Sequence, residues 1–479
     1  MKKITLIFLI FLGLNSFTQA VDQDTTKVFK KRVLETAEVN ILSSYYSQDG
    51  NNASVTGGIG TEKLTDNTPT IKVSIPLNDD DVLTIDAGIS AYTSASSSNL
   101  DPFDKDEEST SKISSITSPW KESTGASRAD TWVNANVNYS QTSEDRNKIW
   151  SANVNFATEY DYSSIGFGGD YTRLYNKKNT SLGIKGSVFL DTWRPQTPIE
   201  LREGKNSTSS YFSNTAILNE DGIAINKNDA NAWSPLKKEL VSSNNRNSYT
   251  VSFSFSQVLS KNAELSLFFD LAAQQGWLSN PMQRVYFKDR PNYYIGNPAN
   301  IANYEAASNT DIFHLADDIE RLPDNRLKLP IGAKLNYYIN EYVVAKTFIR
   351  YYTDNWGVTS QTAQIILPIK VSGKFTLYPA YRFYNQTAAD YFAGYNEHSS
   401  TDTYYTSDYD LSKFNSNQYS IGIKYSDVLS DFNIWKFELK NIQLKYSYYK
   451  RSNGLTANMI SFSTKFALDK IYTFKKKVK

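Results

Sequence analysis

The chain has 479 residues with 51 basic and 50 acidic side chains, no cysteine, 33 tyrosines and a mean hydropathy of −0.48. Balanced charge argues against nucleic-acid binding, which draws on a basic excess. The absence of cysteine excludes disulfides and a lipidated N-terminus.

In chain order, Lys2 and Lys3 precede an apolar stretch, Ile4 to Leu14, and Thr18-Gln19-Ala20 places small residues at a cleavage position. This pattern predicts a removable signal peptide over 1–20, followed by a short periplasmic lead-in over 21–36. Beyond it no run of about 18 apolar residues occurs, so no spanning helix is expected. Strands point side chains to alternate faces, so a half-apolar strand shows period two. Val133, Ala135, Val137 and Tyr139 alternate with Asn134, Asn136, Asn138 and Ser140, and Tyr249, Val251, Phe253 and Phe255 alternate with Thr250, Ser252, Ser254 and Ser256. The same pattern predicts strands over 37–48, 69–77, 82–94, 130–141, 148–161, 164–175, 180–192, 247–258, 263–276, 326–339, 343–355, 358–370, 374–386, 417–426, 440–450 and 457–472. Most approach the ~9–11 residues that a tilted strand needs to cross a bilayer.

Connections of a few residues, such as Asn78–Asp81 and Asn340–Tyr342, alternate with the long segments 95–129, 193–246, 277–325 and 387–416. Short periplasmic turns and long outer loops suit an outer-membrane barrel, and an even strand count puts both termini on the turn side. The expected fold is all-β: a closed antiparallel transmembrane β-barrel of about 16 strands (14–18) over 37–474, with a basic tail over 475–479. Asp427–Leu439 is long for a turn and reads as a strand extension, and Pro330 and Pro379 fall inside proposed strands. Aromatics at strand ends, including Tyr45, Tyr92, Tyr139, Trp150, Tyr160, Tyr175, Trp193, Trp277, Tyr337, Tyr351, Trp356, Tyr446 and Tyr448, are expected to form interfacial girdles.

Ionisable residues fall in the register opposite the apolar one. The earlier strands contribute Asp86, Glu159, Asp161, Asp170, Glu264 and Asp270, with Lys72 and Lys185 as exceptions. The later strands contribute Lys328, Lys334, Lys346, Arg350, Lys370, Arg382, Lys424, Lys445 and Lys465. In a closed barrel these become an acidic and a basic lumen wall. Such walls either polarise a water-filled pore or pair with inward loops that fill it, with 193–246 and 277–325 as candidate constrictions.

His314 and His398 both lie in long loops, where solvated side chains are expected. No HExxH or GxSxG pattern occurs, so neither an enzyme nor a cofactor is expected. The acidic run Asp101, Asp104, Asp106, Glu107 and Glu108 lacks calcium-loop spacing and reads as a solvated loop. Loop aromatics Trp233, Tyr293 and Tyr294 are candidates for contact with sugars or a partner.

The stretches LSSYYSQDGNNASVTGGIGTEKL, IPLNDDDVLTIDAGISAYTSASSSN, FLDTWRPQTPIELR and YYTDNWGVTSQTAQIILPIKVSGKFTLYPAYRFYNQTAADYF resemble an uncharacterised outer-membrane β-barrel family of Bacteroidetes, catalogued as a domain of unknown function. The resemblance implies a barrel in the outer membrane of a Gram-negative cell and supplies no activity or site residue. The expected partners are outer-membrane lipid, the barrel insertion machinery and a small hydrophilic solute, with no nucleic acid. The leading expectation is a porin-like channel. The alternatives are a loop-filled structural or partner-binding barrel, then uptake of a hydrophobic solute or a barrel enzyme.

Overall fold

The computed structural model describes residues 31–94, 129–194, 197–201, 216–226, 228–236, 244–306, 311–427 and 432–468. The proposed signal peptide, the acidic run at 101–108 and the basic tail lie outside them.

Sixteen antiparallel strands form one closed ring. They are β1 (Glu38–Asp49), β2 (Leu64–Pro76), β3 (Asp81–Ser94), β4 (Ala129–Thr142), β5 (Lys148–Thr158), β6 (Tyr162–Tyr175), β7 (Thr180–Trp193) and β8 (Asn245–Ser260) in the first half. The second half holds β9 (Ala263–Gly276), β10 (Asn325–Tyr338), β11 (Val344–Asp354), β12 (Thr359–Ile366), β13 (Ala380–Gln386), β14 (Phe414–Ser426), β15 (Phe437–Arg451) and β16 (Thr456–Leu468). Each pairs with its sequence neighbours, and β1 closes the ring on β16, with Ile41 facing Thr464 and Tyr45 facing Ile460. Closure removes both sheet edges, so strand backbones pair within the ring except where prolines interrupt the ladder.

The period-two reading carries over to register. Val137, Val154, Phe167, Val188 and Tyr249 are successive cross-strand partners, forming one apolar row across five strands. Every strand contributes a large apolar residue to the exposed surface, from Ile41 on β1 through Val251 on β8 to Ile460 on β16. In water such a belt would be costly; against hydrocarbon it is the expected surface.

Three details differ from the sequence reading. The strands near 358–386 are broken at their prolines: Thr359–Ile366 gives way to a fragment Ile369–Lys370, and Phe375–Leu377 precedes β13. Pro368 and Pro379 have no N–H for the ladder, although Leu367 N still donates to the Pro379 carbonyl at 3.0 Å. Several strands run longer than expected at one end, as in Leu64–Thr68 of β2. After Leu64 that extension is polar, so it lacks the apolar alternation by which the strand was read. Connection lengths are also only half sorted. All turns at the end holding the termini are short or form a hairpin, but the opposite end mixes the long loops with short connections at 159–161, 355–358 and 452–455.

Of the Asp427–Leu439 segment, residues 428–431 lie outside the described residues; within the rest, Asn433–Ile434 pairs back onto Phe437 and Glu438 at the start of β15. At the same end the lead-in is tied down. Arg32 pairs with Asp79 at 2.7 Å, and Arg146 pairs with Asp80 at 2.6 Å while donating to the Lys31 carbonyl at 2.6 Å.

Candidate functional site

The barrel interior and the loops over one mouth form the candidate site. Of the wall residues expected from sequence, Asp86, Asp170, Glu264 and Asp270 and eight of the nine bases lie on barrel strands; Lys370 lies beyond β12, on the two-residue fragment Ile369–Lys370. Asp161 does not: β5 ends at Thr158, and Asp161 sits buried in the tight turn to β6, where its carbonyl accepts from Arg194 N at 2.7 Å. Glu159 lies just beyond β5 and takes the Tyr92 hydroxyl. The alternation that suggested a longer strand continues into this turn without ladder bonds.

The register opposite the apolar belt brings charges into rows. Lys72 faces Asp86, and Asn136 on the other side donates to Asp86 at 2.9 Å. Asp170, Lys185, Ser252 and Asp270 are successive partners across β6 to β9. Ser151 donates to Asp170, and Asn336 donates to Glu264 at 3.1 Å. On the basic side, Lys465 pairs with Glu38 at 2.7 Å, and the Lys334 ammonium lies 5.8 Å from the Phe268 ring centre and 6.0 Å from that of Phe348. Phe268 and Phe348 stack at 5.7 Å. The apolar register also carries cations near strand ends: Arg173, beside the turn at 176–179, lies over Tyr175 at 5.0 Å and faces Lys148 on β5, and Lys450 sits near the end of β15.

The four loops 50–63, 194–244, 277–324 and 387–413 converge on one another. Arg284 is fully buried and donates to Glu200 at 2.7 Å and to the Val55 carbonyl at 2.9 Å, joining three loops through one guanidinium. Gly57 packs beneath Tyr286; its φ of +84° suits glycine, and a Cβ there would meet the ring at 2.6 Å. His314 is sandwiched between Tyr286 and Tyr294, with ring centres 4.5 Å and 4.7 Å away, and its Nδ1 meets the Tyr395 hydroxyl at 2.6 Å. Ile217, Ile225 and Trp233 pack against Tyr293, Ile295, Phe313 and Leu315. Tyr405, wholly buried, donates to Asp318 at 2.5 Å, and Thr406 donates to Glu320 at 2.6 Å.

This layer is anchored to the rim. Arg326 on β10 pairs with Asp354 at 2.5 Å and covers Trp356 at 4.3 Å, while Trp356 packs on Leu278 and Leu322. Arg451 on β15 pairs with Asp410 at 2.5 Å, and Gln386 on β13 donates to the Ser412 carbonyl at 2.6 Å.

Several sequence expectations change here. His314 and His398 are buried, not solvated, and His398 Nε2 contacts the Thr406 carbonyl at 2.9 Å. Tyr293 and Tyr294 are buried core residues rather than exposed contact aromatics. Trp277 and Trp356 are buried under the loops, and Tyr92 reaches Glu159, so these three do not belong to a lipid girdle; Tyr139 and Trp150, with rings 5.4 Å apart, and Tyr351 and Tyr446 keep the exposed register. Loop residues carry no periodic signal, so burial there was invisible to alternation.

Burial sets the charge states of the layer. It pushes His314 down to about 3, and it raises Glu320 to about 8 and Asp317 to about 6. Asp408, which accepts from Gln283 at 3.1 Å, is raised to about 6 by burial and by the neighbouring Asp410 carboxylate. The loop layer therefore holds a neutral imidazole and a protonated glutamic acid near neutral pH. Among the described residues no group of three His, Asp or Glu side chains is arranged to hold a metal ion.

The chain belongs to the family described as Protein of unknown function (DUF3570), whose model matches residues 7–465. No curated protein matches the sequence. Similar solved structures include a bacterial polysaccharide outer membrane secretin at 9% identity and TM-score 0.39, covering 90% of this chain and 98% of that one. A TodX monoaromatic hydrocarbon channel deltaS2 mutant is 9% identical with TM-score 0.37, covering 91% of each chain. The outer membrane protein opdK from Pseudomonas aeruginosa is 8% identical with TM-score 0.35, covering 90% of this chain and 99% of that one. These likenesses are of fold, and no cargo passes from them to this chain.

Proposed function

We propose that this member of the DUF3570 family is an outer-membrane channel for small hydrophilic solutes, with its loop-bearing mouth narrowed by a folded layer of four loops. The observation that carries this reading is the division of registers around all sixteen strands: a belt of exposed Ile, Val, Leu, Phe and Tyr on one face, and Ser, Asn, Asp, Lys and Arg on the other. A lipid-facing exterior and a wet, charged interior satisfy that division together. A ring of this strand number has room for water within it. In this reading the protein resides in the outer membrane of a Gram-negative cell, with the loops facing outward.

The dry core of the loop layer favours a second reading, a loop-filled barrel that binds a partner and conducts nothing. Conductance of the purified protein in a planar bilayer separates the two. The channel reading expects discrete steps from heat-modifiable, folded protein. Absence of steps from the wild type and from Arg284→Met, whose loop layer should loosen, would overturn it.

A further inference from the structure

The two sides of the barrel differ in how their charges are compensated. Strands β10 to β16 contain only two acids, Asp354 and Glu438. Both are occupied, Asp354 by Arg326 at 2.5 Å and Glu438 by Lys440 at 2.5 Å. Against them stand Lys346, Arg350, Lys370, Arg382, Lys424 and Lys445, for which no acidic partner lies within 4.0 Å among the described residues. Their cross-strand neighbours are neutral: Asn336 and Ile366 beside Lys346, Gly332 and Thr362 beside Arg350, Gln364 and Gln418 beside Arg382, Gly422 and Ser461 beside Lys445. Lys370 and Lys424 flank the same Thr376. On the acidic side, by contrast, Asp86 and Asp170 each face a lysine and accept a side-chain hydrogen bond.

A second observation falls within the same arc. Arg350 Nε is shielded from solvent without a hydrogen-bond partner, and so is the hydroxyl of Thr362, the residue directly across from it. Orphaned donors in a partly dry, positively charged wall have an unmet demand for an acceptor, and an anionic oxygen meets it most strongly.

We propose that the arc of β11 to β15 is a binding path for anionic solutes bearing carboxylate or phosphate groups, with Arg350 and Thr362 at its tightest contact. This deepens the channel reading and rests on it. A row of uncompensated cations beside low-dielectric walls concentrates anions and repels cations. Asp86 and Asp170, each engaged locally, do not offset it at the same point. Both guanidinium Nε–H and hydroxyl O–H can donate to one oxyanion, and the flanking Lys346 and Arg382 would pass the charge along the wall.

The test is the reversal potential of the wild-type barrel in a potassium chloride gradient, followed by block of the chloride current with inorganic phosphate and with acetate. The expected result is anion preference and concentration-dependent block. The Lys346→Glu, Arg350→Glu, Arg382→Glu triple variant should shift the anion-to-cation permeability ratio toward cations by about fivefold or more. Should that variant not assemble, the milder Arg350→Gln with Thr362→Val should lower anion preference and weaken the phosphate block together, and a block unchanged in that variant would overturn the assignment of these two residues. Steps that favour cations, or a ratio unmoved by charge reversal, would overturn the anion path while leaving the channel standing. A folded barrel with no steps in either wild type or Arg284→Met overturns the channel itself.

Discussion

The barrel wall and the loop layer are built on opposite principles. The wall is held by its closed backbone ladder, and its charged side chains stay half-exposed along the interior. The loop layer has little regular ladder, only pairings such as Tyr294 with His314, and is held by side chains packed to dryness around Arg284, Tyr286 and His314. The wall therefore tolerates change on its inner face and resists it on its outer one. The loop layer resists change at a few buried polar contacts between segments far apart in sequence.

That contrast can be broken at either region. The largest effect is expected from Arg284→Met. It leaves Glu200 buried without its cation, and breaking such a pair costs about 3–5 kcal/mol. The loop layer should become protease-sensitive while the barrel keeps its heat-modifiable mobility; limited proteolysis of folded protein in vesicles reads both. If the barrel also fails to assemble, loops and wall are one cooperative unit and the division is wrong.

Next comes Val251→Arg, which puts a charge in the middle of the apolar belt and should cost about 2–4 kcal/mol by urea unfolding in lipid. Its neighbour Ser252→Arg, in the opposite register between Lys185 and Asp270, should be close to neutral. Equal losses would mean that the two faces are not sorted between lipid and water.

The smallest effect is a pH response confined to the loops. Glu320 is raised above its unfolded value of 4.5 to about 8, so the stability it contributes is complete below pH 4.5 and fades as pH rises through 8. His314 is depressed from 6.5 to about 3, so its contribution is complete above pH 6.5 and is lost as pH falls toward 3. Protection factors of loop amides, corrected for intrinsic exchange at each pH, should be largest between these limits. Glu320→Gln, which stays neutral, should flatten the alkaline side alone. An unchanged alkaline limb would place the sensitivity elsewhere, with Asp408, Asp317 and Glu62 also raised by burial in the loop layer.

The same contrast explains what was legible beforehand. All sixteen strands could be read because an exposed apolar face and an opposite polar face impose period two residue by residue. Pro379 marked a place where a strand breaks, whereas Pro330 sits inside the continuous β10. The loop layer could not be read this way. Arg284 meets Glu200 across 84 positions and Val55 across 229, with no periodic trace of either contact. His314 resembles any loop histidine until its own loop folds back to stack Tyr286 and Tyr294 on it and Tyr395 arrives from the loop 387–413. The basic surplus of the later strands was visible as composition, but its lack of local partners, and the orphaned Arg350 and Thr362 atoms, emerged only from register.

The central claim is that successive residues of each strand alternate between lipid and a wet interior. A chain without cysteine allows this to be measured directly, by placing single spin-labelled cysteines at Val251, Ser252, Phe253 and Ser254 of β8 in vesicles. The account predicts that labels at 251 and 253 collide with oxygen dissolved in lipid, whereas those at 252 and 254 collide with a water-soluble nickel complex. Uniform accessibility along the four positions, or the reverse alternation, would contradict it.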